Sequence, residues 1–314
     1  MSDISLFRIA SGEATEMQGT ASDLEKPLQK LIEHNLDPLL GVRFLANEYS
    51  TGKTHLGRID TLGLDENACP VILEYKRSSG ENVINQGLFY LDWLMDHQAE
   101  FKLLVLERYG RENADAIDWT APRLICIAAD FTKYDGHAVQ QMNRNIDLIR
   151  YRRFGNEFLL LELVNAVTTK PISPIVASGK TSAKRRRAPR GAGTDKSVSE
   201  WLADMTGPMR ELFESLEGYL LSLGDDVQRK DLKLYIAFKR IRNFTTIEIR
   251  RDKLVVFLRV NPDDVDLVDG FSRDVRAVGH WGTGSLEVML RNQADLDRAK
   301  ALIRRAYDGG KSSS

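Results

Sequence analysis

Apolar positions along the first half of the chain follow two different periods. Leu24, Leu28, Leu31 and Ile32 recur at helical spacing and Gly41 ends the pattern, which predicts an opening helix. Short apolar runs, the first three separated by segments carrying Gly, Asp, Asn and Pro, predict strands. In chain order these runs are VRFLANEY, GRIDTLGLD, PVILEYKR, FKLLVLERY, RLICIAADF and FLLLELVNAV.

Two further helices are predicted among these strands. The first covers residues 82–97, with Val83, Ile84 and Leu88 among its apolar positions, and the second covers residues 137–153. Helices interleaved with apolar strands indicate a mixed sheet that is covered by helices on both faces. The first half of the chain is therefore expected to be an α/β domain.

The second half of the chain has a different order of elements. Residues 198–205 and 209–223 show helical spacing, with Pro208 placed where a helix can begin. Alternating apolar residues then predict strands, and a helix at residues 295–307 closes the pattern. The predicted strands lie at residues 232–238, 245–249, 254–260 and 285–291. This order is typical of a small α+β domain.

The segment between the two halves has no hydrophobic period. It is rich in Pro, Gly, Ser, Ala and basic side chains, which predicts a flexible basic linker. The expected organisation is a domain at residues 1–167, the linker at 168–197 and a second domain at 198–314. A chain of 314 residues is long enough for two buried cores.

Charge changes the picture when it is counted by segment. The whole chain has 44 basic and 45 acidic side chains and a formal net charge of -1, which by itself speaks against a polyanionic partner. Residues 1–167, however, carry eight more acidic than basic side chains, whereas residues 168–196 carry seven more basic than acidic ones. The near-zero total is a cancellation, so it excludes no nucleic-acid partner.

Cysteine usage and apolar run lengths narrow the setting of the protein. Cys69 and Cys126 are far apart and lack the paired spacing of a zinc site, so both are expected to be small core residues in a reducing compartment. No run approaches the roughly 18 apolar residues that a membrane span needs, and the first residues lack a basic segment followed by an apolar one. The expected location is the cytoplasm, without a membrane partner.

The densest chemical signal lies in the segments GRID, EYK and QGLFY. Asp60 and Glu74 stand at the ends of neighbouring predicted strands, and two converging carboxylates form an oxygen-rich site for Mg²⁺ or Mn²⁺. Lys76 lies two residues beyond Glu74 and so on the same sheet face, where it can hold a water beside a metal-bound phosphate. Gln86 and Tyr90, spaced i and i+4 on one helix, can add polar contacts to that site.

In this order the residues resemble the PD-(D/E)XK nuclease superfamily, whose pattern is a helix carrying an acid, a strand Asp, a hairpin to Glu-x-Lys and a helix with Gln-x-x-x-Tyr. Within it the chain is similar to archaeal and actinobacterial mismatch endonucleases and to Holliday-junction and RecB-type nuclease domains. The resemblance covers about residues 20–165 and implies a restriction-endonuclease-like mixed sheet flanked by helices. It implies catalytic roles for Glu25, Asp60, Glu74, Lys76, Gln86 and Tyr90.

The resemblance also implies how these residues act. Asp60, Glu74 and the backbone carbonyl of Tyr75 would hold Mg²⁺ or Mn²⁺. Glu25 would assist as a ligand, directly or through water, and the lysine of the Glu-x-Lys element would orient the attacking water. Glu33 lies on the same first helix as Glu25 and could replace it as the helix acid.

The implied function is hydrolysis of phosphodiester bonds in DNA by a magnesium-dependent deoxyribonuclease, an endonuclease in preference to an exonuclease. The setting would be bacterial defence, as in restriction or antiviral systems, or DNA repair, and a homodimer is compatible with the resemblance. The alternative is a non-catalytic protein that binds nucleic acid or a partner and uses the nuclease fold as a scaffold.

The second domain has a resemblance of its own. Its segments GHWGTGSLEV and LIRRAY resemble an uncharacterised C-terminal domain of bacterial defence and restriction-type proteins, over about residues 205–308. The resemblance implies a recognition or regulatory module, for a nucleic-acid feature or for a protein partner.

The linker concentrates positive charge in one short run. Its basic residues are Lys184, Arg185, Arg186, Arg187 and Arg190. The run is either a solubilising tether or a segment that contacts phosphates, and its position next to an acidic nuclease-like domain favours phosphate contact.

Two glycine-containing motifs are interpreted as structural. STGKT at residues 50–54 has Asn47 where a phosphate loop needs its first glycine, so a turn is predicted. GHWGTG at residues 279–284 does not join a leading strand to a helix, which argues against a dinucleotide fingerprint. A structural corner is favoured there over a stacking surface for a base or ligand at the Trp beside His280.

Overall fold

The computed structural model describes residues 4–21, 25–52, 56–76, 83–142, 144–167, 196–205, 207–278, 280 and 282–310. The chain divides into two compact units, unit 1 with residues 1–169 and 240–243, and unit 2 with residues 170–239 and 244–314. Most of the predicted linker lies outside the described residues.

Unit 1 alternates between helices and strands. Its helices are α1 (Glu25–His34), α2 (Leu36–Leu40), α3 (Val83–Asp96), α4 (Gln98–Asp115) and α5 (Lys133–Gln141). Its strands are β1 (Leu6–Ala10), β2 (Glu13–Met17), β3 (Val42–Ser50), β4 (Arg58–Asp65), β5 (Pro70–Lys76), β6 (Arg123–Ala128), β7 (Asn145–Phe154) and β8 (Phe158–Val167). β1 and β2 form a separate antiparallel hairpin that the apolar pattern does not predict.

The other six strands of unit 1 form one mixed sheet, in the order β3-β4-β5-β6-β7-β8. β4 pairs antiparallel with both β3 and β5, the strands β5, β6 and β7 run parallel, and β8 returns antiparallel. Parallel neighbours need crossover connections, and α3 to α5 lie in the two connections concerned. The expected mixed sheet flanked by helices is confirmed.

Helices cover both faces of this sheet. On one face Leu28 and Ile32 of α1 belong to a buried cluster with Tyr75 of β5. On the other face Leu94 of α3 belongs to a buried cluster with Ile72. β5 and β6 are therefore buried on both sides, which explains why they read in the sequence as continuous apolar runs without alternation.

Two predicted elements of unit 1 are wrong. FKLLVLERY, predicted as a strand, lies within α4, where Phe101 and Val105 are buried one helical turn apart. Residues 137–153, predicted as a single helix, divide into the end of α5 and the strand β7. β7 is buried along most of its length, and a strand that is buried on both faces lacks the alternation that would identify it.

Unit 2 is built around a second sheet. Its helices are α6 (Val198–Asp204), α7 (Gly207–Ser222) and α8 (Gln293–Tyr307), with a short 3₁₀ helix at Pro262–Asp264. Its strands are β9 (Gln228–Asp231), β10 (Ile236–Lys239), β11 (Asn243–Ile249), β12 (Leu254–Leu258), β13 (Ser272–Asp274) and β14 (Leu286–Leu290). They are ordered β13-β14-β12-β11-β10-β9. The strand predicted over residues 232–238 is wrong in its first half, because those residues connect β9 to β10.

The core of unit 2 lies between its sheet and its helices. Val198 of α6, Leu216 of α7 and Ile303 of α8 share one buried cluster with Ile247 and Val256 of the sheet. Helices and a sheet that follow one another in blocks are the α+β arrangement. The predicted class of the second domain is therefore confirmed.

The GHWGTG segment lies against the sheet of unit 2. Gly282 has φ of 88°, and an added Cβ would collide with the side chain of Thr246. His280 stacks on Phe257 with 4.3 Å between the ring centroids. These contacts support the interpretation as a structural corner, while Trp281 lies outside the described residues.

Two further expectations concern the whole chain. Within the described residues, no helix is both long and apolar enough to cross a membrane. Cys69 and Cys126 are both buried, which confirms their prediction as core residues. Burial raises the pKa of the Cys126 thiol well above its ordinary value, so this thiol stays protonated.

A buried ion pair joins two central strands of unit 1. Arg123 Nε donates a hydrogen bond to Asp147 Oδ2 over 2.5 Å, and the two residues are 4% and 1% exposed. Since both side chains are buried, the ion pair offsets most of the cost of burying the two charges, and Arg123 also donates to the carbonyl of Ile241 over 3.2 Å.

Replacing Asp147 by Leu is expected to lower the free energy of unfolding by about 3–5 kcal/mol, because Arg123 would stay charged and buried without its partner. Urea unfolding followed by circular dichroism measures this loss. The double variant Arg123→Leu/Asp147→Leu should recover most of it, and a double variant as unstable as the single one would contradict the explanation.

Candidate active site

The hydrogen-bond ladder between β4 and β5 ends at the two predicted acids, Asp60 and Glu74. Its register extends from Leu64 to Thr61, which is opposite Leu73. Beyond that point the carboxylates join the strands. The backbone N–H of Asp60 donates to Glu74 Oε1 over 3.2 Å, and the backbone N–H of Tyr75 donates to Asp60 Oδ2 over 3.0 Å. The structure thus brings together the two predicted acids.

The environment of Glu74 opposes its negative charge. Glu74 is 0% exposed, and burial together with the nearby Asp60 carboxylate raises its pKa to about 9. The hydrogen bond from the Asp60 N–H and the positive charge of Lys76 act in the opposite direction. Near neutral pH the two carboxylates therefore retain a proton in spite of Lys76, unless a metal cation lies beside them.

Lys76 lies near Glu74. It is the last residue of β5 and is partly buried, opposite Ala128 of β6. Successive strand residues point to alternate faces, so Lys76 shares a face with Glu74. Its effect on the pKa of Glu74 is consistent with an ammonium group near the carboxylate. An ammonium group at this place can hold a water or contact a phosphate oxygen.

The oxygens at this point fit a divalent cation. Oε2 of Glu74 is buried and accepts no hydrogen bond from the described residues. The N–H of Tyr75 points towards β4, and a residue's carbonyl lies on the same side of a strand as its N–H, so this carbonyl is on the β4 side as well. Mg²⁺ prefers such oxygens and commonly uses one or two protein carboxylates.

Few side chains are available as metal ligands in the part of the chain that the structure describes. There, no group of three or more His, Cys, Asp or Glu side chains could hold a metal ion. Glu25 begins α1, but its side chain lies outside the described residues. Two carboxylates and a carbonyl are therefore the donor set that can be placed.

Helix α1 reaches the same region through a polar network. Gln29 Nε2 donates to the backbone carbonyl of Asp60 over 3.0 Å and to Glu33 Oε1 over 2.9 Å. Glu33 Oε1 also accepts from Thr61 Oγ1 over 2.6 Å, and Glu33 Oε2 accepts from Asn47 Nδ2 over 3.1 Å. Gln29 is only 6% exposed, so this network ties the helix to the backbone of the strand acid.

The two candidates for the helix acid lie on one face of α1. Glu25, Gln29 and Glu33 are successive i, i+4 positions. Both carboxylate oxygens of Glu33 accept hydrogen bonds within the network, which gives Glu33 a structural role. The assignment of Glu25 as the helix acid stays a prediction.

Gln86 and Tyr90 hydrogen-bond at the start of β4. The Tyr90 hydroxyl accepts from the backbone N–H of Arg58 over 3.1 Å and from Gln86 Nε2 over 3.3 Å. The Tyr90 ring also lies against Gly57, where an added Cβ would be 2.5 Å from Tyr90 Cε1. Because Arg58 comes two residues before Asp60, Tyr90 positions the strand that carries this acid.

The turn before β4 is closed by Thr51. Its backbone N–H donates to the Gly57 carbonyl over 3.0 Å, and its Oγ1 accepts from the Gly57 N–H over 2.9 Å. This closure supports the interpretation of STGKT as a turn, although residues 53–55 lie outside the described part. Gly57 is therefore held by Thr51 on one side and by the Tyr90 ring on the other.

Sequence analysis missed Gln29, Asn47 and Thr61. A signal existed for Gln29, since it is a polar residue between Leu28 and Ile32 on the apolar face of a helix. Asn47 and Thr61 are opposite each other in β3 and β4, but strand spacing alone does not identify such a pair. The basic linker residues Lys184, Arg185, Arg186, Arg187 and Arg190 lie outside the described residues.

Comparison with protein families and curated proteins gives two matches. A family model described as "Domain of unknown function (DUF5655)" matches residues 198–309, which include the helices of unit 2. An "Uncharacterized protein" of Haemophilus influenzae is 28% identical over 309 residues, covering 96% of this chain and 98% of that protein. The second match extends over both units.

Two solved structures are similar to part of the chain. One is described as "crystal structure of a repair endonuclease from Pyrococcus abyssi", with 20% identity, a TM-score of 0.28 and coverage of 42% of this chain and 49% of that chain. The other is "Structure of EndoMS-dsDNA2 complex", with 22% identity, a TM-score of 0.25 and coverage of 40% and 44%. The match spans less than half of either solved chain, so function has to be argued from this protein's own residues.

Replacing Tyr90 by Phe is expected to loosen the start of β4, because the partly buried N–H of Arg58 would lose its acceptor. A lost hydrogen bond of about 1 kcal/mol corresponds to roughly fivefold faster exchange of this amide, measured by hydrogen–deuterium exchange. Tyr49→Phe is the matched control, since the Tyr49 hydroxyl makes no hydrogen bond with a described residue. Equal exchange in the two variants would show that Tyr90 does not position the strand.

Proposed function

We propose that this protein is a metal-dependent nuclease that hydrolyses phosphodiester bonds of DNA. The observation that carries the proposal is the pair formed by Asp60 and Glu74, held together where two strands separate, with an unpartnered buried oxygen on Glu74. Besides the two carboxylates, phosphate hydrolysis can use a cationic group that binds water or a phosphate oxygen. Lys76, near Glu74, supplies this group. The order of the six motif residues supports the same function.

Asp60, Glu74 and the backbone carbonyl of Tyr75 are the proposed ligands of Mg²⁺ or Mn²⁺, and Glu25 is a proposed further ligand, directly or through water. When bound, the cation would act as a Lewis acid that stabilises negative charge on the phosphate and on the leaving 3′ oxygen. The burial of Glu74 keeps bulk water from its carboxylate, which strengthens electrostatic interactions at the site.

The remaining residues act by orientation. Lys76 would hold the attacking water beside the phosphate. Tyr90, with Gln86, fixes the start of β4, and Gln29 fixes the carbonyl of Asp60, so the position of the aspartate is set from two helices. No side chain is required to form a covalent bond with the substrate.

Finer parts of the proposal rest on the family resemblance. They are endonuclease rather than exonuclease action, a role in bacterial restriction, antiviral defence or DNA repair, a homodimer, and a protein partner for the second domain. The alternative function, a non-catalytic protein that binds nucleic acid or a partner, differs from the proposal in its chemistry and is separated from it by a cleavage assay.

Glu74→Ala is expected to lower the rate of DNA cleavage by at least about a hundredfold, because the cation would lose its buried carboxylate. The measurement is a cleavage panel over single-stranded, duplex, mismatched, branched and modified DNA with Mg²⁺ or Mn²⁺. Glu107→Gln is the matched control, since Glu107 is an exposed carboxylate on α4 of the same unit. It should cleave like the unmodified protein.

Two outcomes of this panel would count against the proposal. One is the absence of cleavage of every DNA form with either metal, and the other is undiminished cleavage by Glu74→Ala. Calorimetric titration with Mn²⁺ then tests the alternative function. Metal binding that is lost in Asp60→Ala, without any cleavage by the unmodified protein, would favour a non-catalytic protein.

The basic linker residues are proposed to contact DNA phosphates. Replacing Lys184, Arg185, Arg186, Arg187 and Arg190 by Gln should weaken DNA binding and flatten its dependence on salt. Each phosphate contact that is lost lowers the slope of log affinity against log salt by about 0.9 for duplex DNA. Fluorescence anisotropy over a range of salt concentrations measures the slope, and an unchanged slope would assign the linker a tether role only.

A further inference from the structure

Unit 2 contains an open cavity of about 560 Å³ beside α6 and the turn that joins β11 to β12. Its apolar side is formed by Trp201, Met205, Met209 and Ile249. Met205 and Ile249 belong to the buried core of the unit, and Trp201 and Met209 pack against that core. The apolar wall is therefore held in place by the fold, and the volume falls in the range of small-ligand sites.

The lining of this cavity is also cationic. Lys196 Nζ lies 4.9 Å from the centroid of the tryptophan ring and pairs with Asp204 Oδ2 over 2.7 Å. Arg250 pairs with Glu248. Arg251 also lines the cavity and forms no ion pair with a described residue. The lining thus carries a surplus of positive charge next to an aromatic surface.

The aromatic and cationic parts of the lining match a ligand that is planar at one end and anionic at the other. A nucleotide base can pack on Trp201, where it would take the place of the Lys196 ammonium group, and on the methionine side chains, since base–aromatic stacking tolerates every base. The guanidinium groups of Arg250 and Arg251 have the planar, forked geometry that binds phosphate oxygens. An acidic peptide would use the arginines but would leave the tryptophan without a planar partner, so the lining favours a nucleotide.

We propose that this cavity of unit 2 binds a nucleotide, either as a free nucleoside monophosphate or as the terminal nucleotide of a nucleic-acid strand. Both sources present the same base and phosphate. The site consists of residues of unit 2 alone, so it stands independently of the proposed nuclease function and of Asp60 and Glu74.

The test is calorimetric titration of the full chain in EDTA, which removes metal-dependent binding elsewhere. The probes are dAMP and a short single-stranded DNA with and without a 5′ phosphate. Arg250→Gln/Arg251→Gln should weaken binding by about tenfold or more, and Trp201→Leu by about fivefold. Arg304→Gln is the matched control, an arginine of α8 that is 56% exposed and does not line the cavity; it should bind like the unmodified protein.

Binding of dAMP identifies a free nucleotide as a sufficient ligand, whereas binding of the phosphorylated strand alone identifies a strand end; either result supports the proposal. Failure of all three probes to bind at millimolar concentration would overturn it. So would undiminished binding by the double arginine variant, or binding of poly-glutamate without binding of any nucleotide. Circular dichroism checks the folding of each variant, and Trp201→Phe serves as the milder change if Trp201→Leu fails to fold.

Discussion

A fully buried carboxylate next to a second, partly buried one is the constraint on which the arrangement of unit 1 depends. Glu74 is fully buried beside Asp60, and both burial and the neighbouring charge oppose its ionisation, so that its pKa rises to about 9. When both of its members are ionised, such a pair is unfavourable, and either a retained proton or a positive charge in the same place relieves it. Lys76 offsets part of this cost. Oε2 of Glu74 accepts no hydrogen bond from a described residue, so a further cation could bind there. The pair therefore destabilises unit 1 locally, at the ends of β4 and β5, and contacts in the rest of the sheet have to offset this cost.

The sheet holds this pair by fixing β4 from both faces. On the α1 face Gln29 donates to the carbonyl of Asp60, and on the α3 face the Tyr90 hydroxyl accepts from the N–H of Arg58. The two contacts lie within two residues of each other along the strand. They replace ladder hydrogen bonds that β4 no longer makes with β5 once the carboxylates of Asp60 and Glu74 join the strands. The backbone of β4 therefore stays in place even though regular strand pairing ends at Asp60 and Glu74.

Much of this arrangement could be predicted from the sequence, because strand and helix periods are local. The order of Asp60, Glu74 and Lys76 on adjacent strands followed from spacing alone. The two misread elements of unit 1 have different physical causes. β7 is buried along most of its length and so lacks the alternation of a half-buried strand, whereas α4 contains an apolar run that is not fully buried. In α4, Leu103 and Leu106 are 53% and 38% exposed, so their apolar character imitated a strand. The network of Gln29 escaped prediction because it depends on which helix face meets which strand, and no local period contains that information.

The distribution of charge along the chain places a further requirement on the proposed function. Residues 1–167 carry a net negative charge, and a cation at the acids would neutralise only its immediate surroundings, since screening limits a charge to about 8 Å at physiological salt. Attraction of a polyanion over longer distances has to come from other parts of the chain. Residues 168–196 hold the largest surplus of basic side chains among the three segments, and Arg251, which forms no ion pair with a described residue, adds to the positive lining of the cavity in unit 2. If the proposed function is correct, unit 1 hydrolyses the DNA strand and the basic linker attracts it. The two tasks belong to different segments because the acids proposed to hold the metal would repel the phosphates that the linker attracts.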